Sequence, residues 1–425
     1  MASLSKCSTV QPYKVGPDFI DPMYHSLATG RPSRNLDGYM MSKDTITSHF
    51  QRTSSSADIS VVEGVRGLYE GIDAIEDTAS TAQIAKFIKA PVVLVMDSRS
   101  LTRSAAAMVK GFKSFDPDVD IAGVILNNVS GEAHKRKLCR AITELADTEV
   151  LGVVYRDRER SIPGRHLGLV TPDSQTDLKE LRENLESLLE EVDVDRIRDI
   201  ADSATDLVVD YEQCNESMIG NGLVAAVPYD RSFCFYYPEN LERLEELGVK
   251  VIRYSPTDGD DLPDADIHYL GGGYPELYAD LLSENKAFLS GLKDAHDEGS
   301  FIRGECGGMM AMCDGISDMD GRLHDMAGIF PAEAGMNARR QGLSYVEAEI
   351  IAEGRGLTRG HEFHYSNVTV KGKVDFAYRM RRGKGIDGVY DGLMSKNSIG
   401  TYMHRHALAD DDPMHKLVAA VVRSR

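Results

Sequence analysis

Tryptophan is absent from the 425 residues, which by itself decides nothing. Other absences exclude more. No run approaches the apolar length of a membrane-spanning helix, and no signal-peptide pattern opens the chain. A cytoplasmic protein with no membrane partner is therefore expected. Basic residues are in deficit, 48 Lys and Arg against 67 Asp and Glu, for a net charge of -19. That balance argues against binding a nucleic-acid phosphate backbone, although an acidic excess is ordinary for cytosolic enzymes and names no partner. The six cysteines (Cys7, Cys139, Cys214, Cys234, Cys306 and Cys313) lack paired metal-ligand spacing and read as reduced thiols. Internal repeats and low-complexity segments are missing too.

What is present is enough chain for two α/β domains with full cores. Short β-rich runs at Ile59–Val62, Val92–Met96, Ile121–Leu126 and Val150–Val154 alternate with helix-patterned stretches at Thr81–Lys89, Ser104–Phe112 and Ala133–Ala146. Such alternation predicts a parallel sheet with crossover helices. The charged, leucine-patterned stretch Asp177–Ala204 reads as a helical connector. A second alternation begins at Gly222. The boundaries predicted are a first domain over 1–195, a linker over 196–220 and a second domain over 221–425.

The densest chemistry lies in Gly304-Glu305-Cys306-Gly307-Gly308, after the apolar pair Phe301-Ile302. Glycines around a thiol at a strand-to-helix turn permit the tight backbone that exposes a nucleophile, and a following helix N-terminus favours the thiolate. Alone, Cys-Gly-Gly fits a small buried cysteine equally well. Upstream, the strand Asp266–Leu270 runs into Gly271-Gly272-Gly273-Tyr274-Pro275-Glu276, a loop able to aim backbone N–H groups at an oxyanion. Downstream, Gly400-Thr401-Tyr402-Met403-His404-Arg405-His406 supplies histidines that can return to the thiol in space.

In the first half, Lys14 lies near the end of a strand over Val10–Val15, the carboxylates of Asp18 and Asp21 follow it, and Glu63 ends another. Carboxylates beside a lysine at strand ends suit a Mg²⁺–phosphate site, where ligands of open α/β sheets bind. Asn127, after the strand Gly123–Leu126, is placed to read an adenine edge or simply to cap a turn.

The order glycine loop, Cys306, histidine resembles the class I glutamine amidotransferase domain. That resemblance implies Cys306 as nucleophile, His404 as base with His406 as the alternative, and oxyanion donors at Gly272 or Gly273 and Gly307. It departs from the common pattern in one place: the acid expected two residues after the histidine is His406. More broadly, KVGPDFIDPMYH, GRPSRNLDGYMM, VEGVRGLYEG, DSRSLTRSAAAMVKGF, GVILNN and RHLGLVTP resemble the a,c-diamide synthases of tetrapyrrole biosynthesis. So do FCFYYPENLERLEELG, LGGGYPELY, GECGGMM, GHEFHYSN and GTYMHRH. The likeness runs from about residue 10 to the C-terminus.

The resemblance implies a P-loop NTPase-like, dethiobiotin-synthetase-like parallel-sheet domain followed by a class I glutamine amidotransferase-like α/β domain. It implies ATP- and glutamine-dependent amidation of the a and c acetates of a tetrapyrrole, either cobyrinate or Ni-sirohydrochlorin. RNLDGYMM and EGVRGLYEG lean toward the nickel group. ATP would enter as substrate with Mg²⁺ as cofactor; Asp18 and Glu63 would hold the metal, and Lys14, Asp21 and Asn127 would complete the nucleotide site. Tetrapyrrole, glutamine and ATP are the partners implied, and a homodimer is allowed for. One departure is large: Met1–Val10 contains no G-x-x-x-x-G-K-[ST], the phosphate loop with which this family normally begins. A first strand and its loop are therefore expected to be missing, with ATP use hampered. The alternative is a truncated or degenerate paralogue limited to macrocycle binding or glutamine hydrolysis.

Overall fold

The computed structural model describes residues 1–156, 164–165, 168–169, 191–207, 218–352 and 356–425. Much of the connector at 177–204, part of the RHLGLVTP motif and Cys214 lie outside those residues. The chain forms two compact units: Met1–Gly38 with Ser42–Glu212, and Tyr39–Met41 with Gln213–Arg425.

In the first unit, β1 (Val10–Val15) lies between β2 (Arg34–Leu36) and β3 (Ile59–Glu63), parallel to both. A second parallel set orders β4 (Val92–Asp97), β5 (Ile121–Val129) and β6 (Val150–Tyr155). β7 (Gly164–Arg165) pairs antiparallel with β8 (Gly168–Leu169). Helices cross between the strands as the pattern predicts. Ser80 caps the helix Thr81–Ile88 by accepting from the Gln83 N–H at 3.0 Å. The helices Arg103–Phe115 and Glu132–Ala146 turn Ala105, Val109, Leu138 and Ile142 onto Val124, Leu126 and Val129 of β5. The parallel sheet thus comes in two three-stranded pieces. Among the described residues β3 pairs only with β1 and β4 only with β5, and Val95 in β4 is 62% exposed.

The second unit is built on nine strands in the order β10-β9-β11-β12-β21-β20-β19-β16-β17. These are β9 (Val224–Pro228), β10 (Lys250–Tyr254), β11 (Ile267–Leu270), β12 (Phe301–Glu305), β16 (Gly342–Ile350), β17 (Leu357–His364), β19 (Asp375–Arg382), β20 (Tyr390–Ser395) and β21 (Ser398–Thr401). From β10 to β21 the pairing is parallel; from β21 onward it is antiparallel. β11 and β21 are buried along their whole length, as parallel strands covered on both faces must be. A four-stranded sheet, β14-β13-β15-β18, uses Leu323–Asp325, Cys313–Ser317, Phe330–Met336 and Ser366–Val370. Helices such as Pro238–Glu246 and Lys286–Glu298 bury Leu241, Leu244, Phe288 and Leu292 in the main core.

Candidate active site

Three strand ends make the thiol corner. β12 and β21 pair in parallel with Glu305 opposite Thr401, so the residues after each strand leave the same edge of the sheet. Cys306 comes off β12 and His404 lies three residues beyond β21. The Cys306 N–H donates to the Thr401 carbonyl at 2.7 Å, tying the two exits together. A third end, that of β11, delivers the glycine loop.

Cys306 has φ 49° and ψ -101°, a conformation that L-residues rarely hold. The turn is tight: a Cβ on Gly307 would stand 2.8 Å from Pro275 Cδ and 3.2 Å from the Gly273 nitrogen. Side chains there would push the glycine loop off the thiol. The expected helix does follow, over Gly307–Met312, but the thiol is neither exposed nor primed as a thiolate. It is 8% exposed, and burial together with the negative charge of Glu276 pushes its pKa up to about 12. The Gly307 N–H reaches the sulfur and pulls the other way without prevailing. A six-residue helix carries too small a dipole to offset that desolvation. Glu276, at the end of the glycine loop, is itself raised to about 7 by burial.

The histidines separate cleanly. His404 turns its Nε2 edge to the glycine loop: a Cβ on Gly272 would lie 2.5 Å from His404 Cε1 and 3.3 Å from Nε2. Its Nδ1 lies 3.4 Å from Glu305 Oε2. The backbones of His404 and His361 exchange two hydrogen bonds, at 2.8 and 3.1 Å, and their rings stack at 5.0 Å. His406 faces elsewhere, with Nε2 3.4 Å from Glu239 Oε2 and its ring 4.4 Å from Tyr237. Asp391 on β20 fixes the segment between β21 and His404. Its carboxylate accepts from the Thr401 hydroxyl at 2.5 Å and from the Tyr402 and Met403 N–H groups at 3.1 Å each. Of the aromatic stretch 361–365, the Phe363 carbonyl lies 3.9 Å from the Cys306 sulfur.

The first unit gathers a second cluster at the ends of β1 and β3. Buried Lys14 places Nζ 2.5 Å from Asp21, 3.3 Å from Glu63 and 3.9 Å from Asp18. His25, the last residue of KVGPDFIDPMYH and not among the expected site residues, pairs with Glu63 through Nε2. Burial, then the neighbouring charge of Asp21, raises Asp18 to about 6. Burial also works to raise Asp21 and Glu63, but Lys14 and His25 outweigh it and hold both below the usual carboxylate range. Asn127 is apart from this cluster, on β5, where its side-chain oxygen accepts from the Asn128 N–H at 2.9 Å. Among the described residues no group of three or more His, Cys, Asp or Glu is placed to hold a metal ion unaided. The carboxylates of Asp18 and Glu63 are nonetheless the hard oxygens Mg²⁺ takes, and their chemistry fits an ion that would be brought in on nucleotide phosphates.

A buried thiol at a strained turn, a histidine and a glycine loop, on a sheet of this kind, define a glutamine amidotransferase domain. Residues 224–412 match the CobB/CobQ-like glutamine amidotransferase domain family, and residues 30–160 match an AAA domain family, in keeping with a P-loop-like parallel-sheet unit. Cobyrinate a,c-diamide synthase of Methanococcus maripaludis strain C7 is 44% identical over 423 residues, covering 96% of this chain and 93% of that protein. Those of Methanocaldococcus jannaschii and Archaeoglobus fulgidus are 44% and 42% identical; the alignments cover 96% and 98% of this chain and 92% of each relative. The chain belongs to the cobyrinate a,c-diamide synthase family. It is a ligase that forms C–N bonds with glutamine as nitrogen donor.

Proposed function

We propose that the protein amidates the a and c acetate side chains of cobyrinate, using ATP to activate each carboxylate and glutamine to supply ammonia. What supports this most is likeness along nearly the whole chain to synthases of that name, together with a thiol corner suited to glutamine hydrolysis.

In the second unit, glutamine binding brings the amide carbon to Cys306. His404 Nε2 takes the thiol proton as sulfur attacks, which overcomes the high resting pKa only when substrate is present. The oxyanion is met by N–H groups of Gly307 and of Gly272 or Gly273. Collapse of the intermediate expels ammonia with the proton held by His404, leaving a glutamyl thioester. Water then releases glutamate and restores the thiol.

In the first unit, a peripheral carboxylate of the macrocycle takes the terminal phosphoryl group of ATP, giving an acyl phosphate and ADP. Ammonia displaces phosphate to form the amide, once at each acetate. Lys14 neutralises phosphate charge, and Asp18, Asp21 and Glu63 orient it. Magnesium, when bound, neutralises phosphate charge there as well. Asn127 contributes to nucleotide recognition.

The test is mass spectrometry of cobyrinate and of Ni-sirohydrochlorin after incubation with the protein, ATP, Mg²⁺ and glutamine. Two carboxylate-to-carboxamide conversions on cobyrinate are expected. Faster conversion of the nickel macrocycle would reassign the substrate. Glutamine hydrolysis with neither macrocycle amidated would overturn the ligase reading.

A further inference from the structure

The residue two places after the base, where the common amidotransferase pattern has an acid, is His406, and it is turned to Glu239. We infer that Glu305, the residue immediately before the nucleophile, is the positioning carboxylate of His404. The inference rests on the proposed glutaminase role of Cys306 and His404.

The geometry assigns the two edges of the His404 ring to different tasks. Nε2 faces the glycine loop at Gly272, and Nδ1 faces Glu305 Oε2 at 3.4 Å. Both side chains are nearly sealed, His404 at 2% and Glu305 at 6% exposure, so water cannot substitute for either partner. Glu305 is held independently of the histidine: the Tyr269 hydroxyl donates to Oε2 at 3.2 Å and the Arg405 N–H approaches Oε1 at 3.5 Å. A neutral imidazole beside a fixed carboxylate keeps its proton on the nitrogen facing that carboxylate. Nε2 is then left as the acceptor on the side where the thiol proton must go. The 3.4 Å separation is long for a finished hydrogen bond, in line with catalytic contacts that tighten when substrate closes the site.

The arrangement also explains why strand pairing matters to the chemistry. Side chains alternate along β12, so consecutive residues point apart, and only the sharp turn at Cys306 lets residue 305 serve a histidine that serves residue 306. A carboxylate in this place moves with the nucleophile rather than with the base. Its charge adds to those that raise Cys306.

Two measurements on the full-length protein decide the matter. In ¹⁵N-histidine NMR of the wild type, with His404 assigned by His404→Asn, neutral His404 is expected as the Nδ1–H tautomer. An Nε2–H tautomer overturns the inference. In glutamine hydrolysis, Glu305→Gln is expected to lower kcat by about 10²-fold with KM little changed, because the base is disoriented while glutamine contacts remain. Glu305→Asp is expected to recover part of that loss. Wild-type kcat in Glu305→Gln overturns the inference, as does an equal loss in the Asp and Gln variants accompanied by lowered melting, which marks a purely structural carboxylate. The tautomer is readable even if wild-type protein hydrolyses no glutamine. Such a result would remove the glutaminase reading while leaving the Glu305–His404 pairing to stand or fall on the spectrum.

Discussion

His404 Cε1 lies 2.5 Å from the point a Cβ would occupy on Gly272, so the imidazole rests against bare backbone. The closeness makes Gly272 a steric requirement of the proposed base, beside its proposed part in the oxyanion hole. Gly272→Ala should displace the ring by roughly an ångström and cut glutamine hydrolysis by at least about 10²-fold. Amidation from free ammonia should survive. Normal glutaminase kinetics in this variant would show that the ring does not need its present seat.

The two units should fail in opposite ways. Cys306→Ala is expected to abolish glutamine use, a loss of roughly 10³-fold or more, yet to spare amidation from ammonium salts. Glu63→Gln should stop amidation from either nitrogen source while glutamine hydrolysis persists, because it breaks the pairing with Lys14 and His25. Parallel assays of glutamate release and macrocycle mass read both variants. Loss of ammonia-driven amidation in Cys306→Ala would count against separate roles.

Thiol reactivity has a defined sign. With a pKa of about 12, Cys306 at pH 8 carries about 10³-fold less thiolate than an ordinary cysteine, and the fraction grows tenfold per pH unit until about 12. Alkylation of the resting protein by iodoacetamide, followed by peptide mass spectrometry, should be slow at Cys306 and climb without a plateau through pH 10. Glu276→Gln removes a negative charge that raises the thiol and should speed this alkylation. A plateau near pH 8 would contradict the buried, charge-opposed thiol.

Asp391 is buried and accepts from four groups, three of them on Thr401, Tyr402 and Met403. Asp391→Asn turns one acceptor into a donor facing another donor, at a cost of about 1–3 kcal/mol. Denaturant unfolding should record that loss, and glutaminase activity should fall with it as the segment carrying His404 loosens. Unchanged stability would mean the segment has other sufficient supports.

Much of this was legible in the chain because it is written linearly. Alternating apolar runs announced parallel strands and crossover helices, and the order of glycine loop, thiol and histidine announced the second site. What stayed hidden depends on register. Glu305 stands inside the Gly-Glu-Cys-Gly-Gly motif, yet nothing in the motif says that β12 and β21 pair 305 with 401 and so bring it to His404. His25 closes the KVGPDFIDPMYH motif without being given a role there, Asp391 lies in an unmarked stretch, and only tertiary neighbours give either a task. The expectation of a favoured thiolate failed because a helix terminus is visible in sequence, whereas the desolvation that outweighs it is not. The preference for His404 over His406 rests on which way each ring faces, a property of the loop beyond β21.

β21 is wedged between β12 and β20, and its sequence comes almost a hundred residues after β12. Contacts of that span form late in folding, since long loops must close first. During synthesis the thiol-bearing strand therefore waits with one flank open, and the cysteine has neither its turn-fixing partner at Thr401 nor its histidine. The order of the chain thus works as a timer on the proposed roles: Cys306 and His404 cannot meet before β21 and the segment after it have been made.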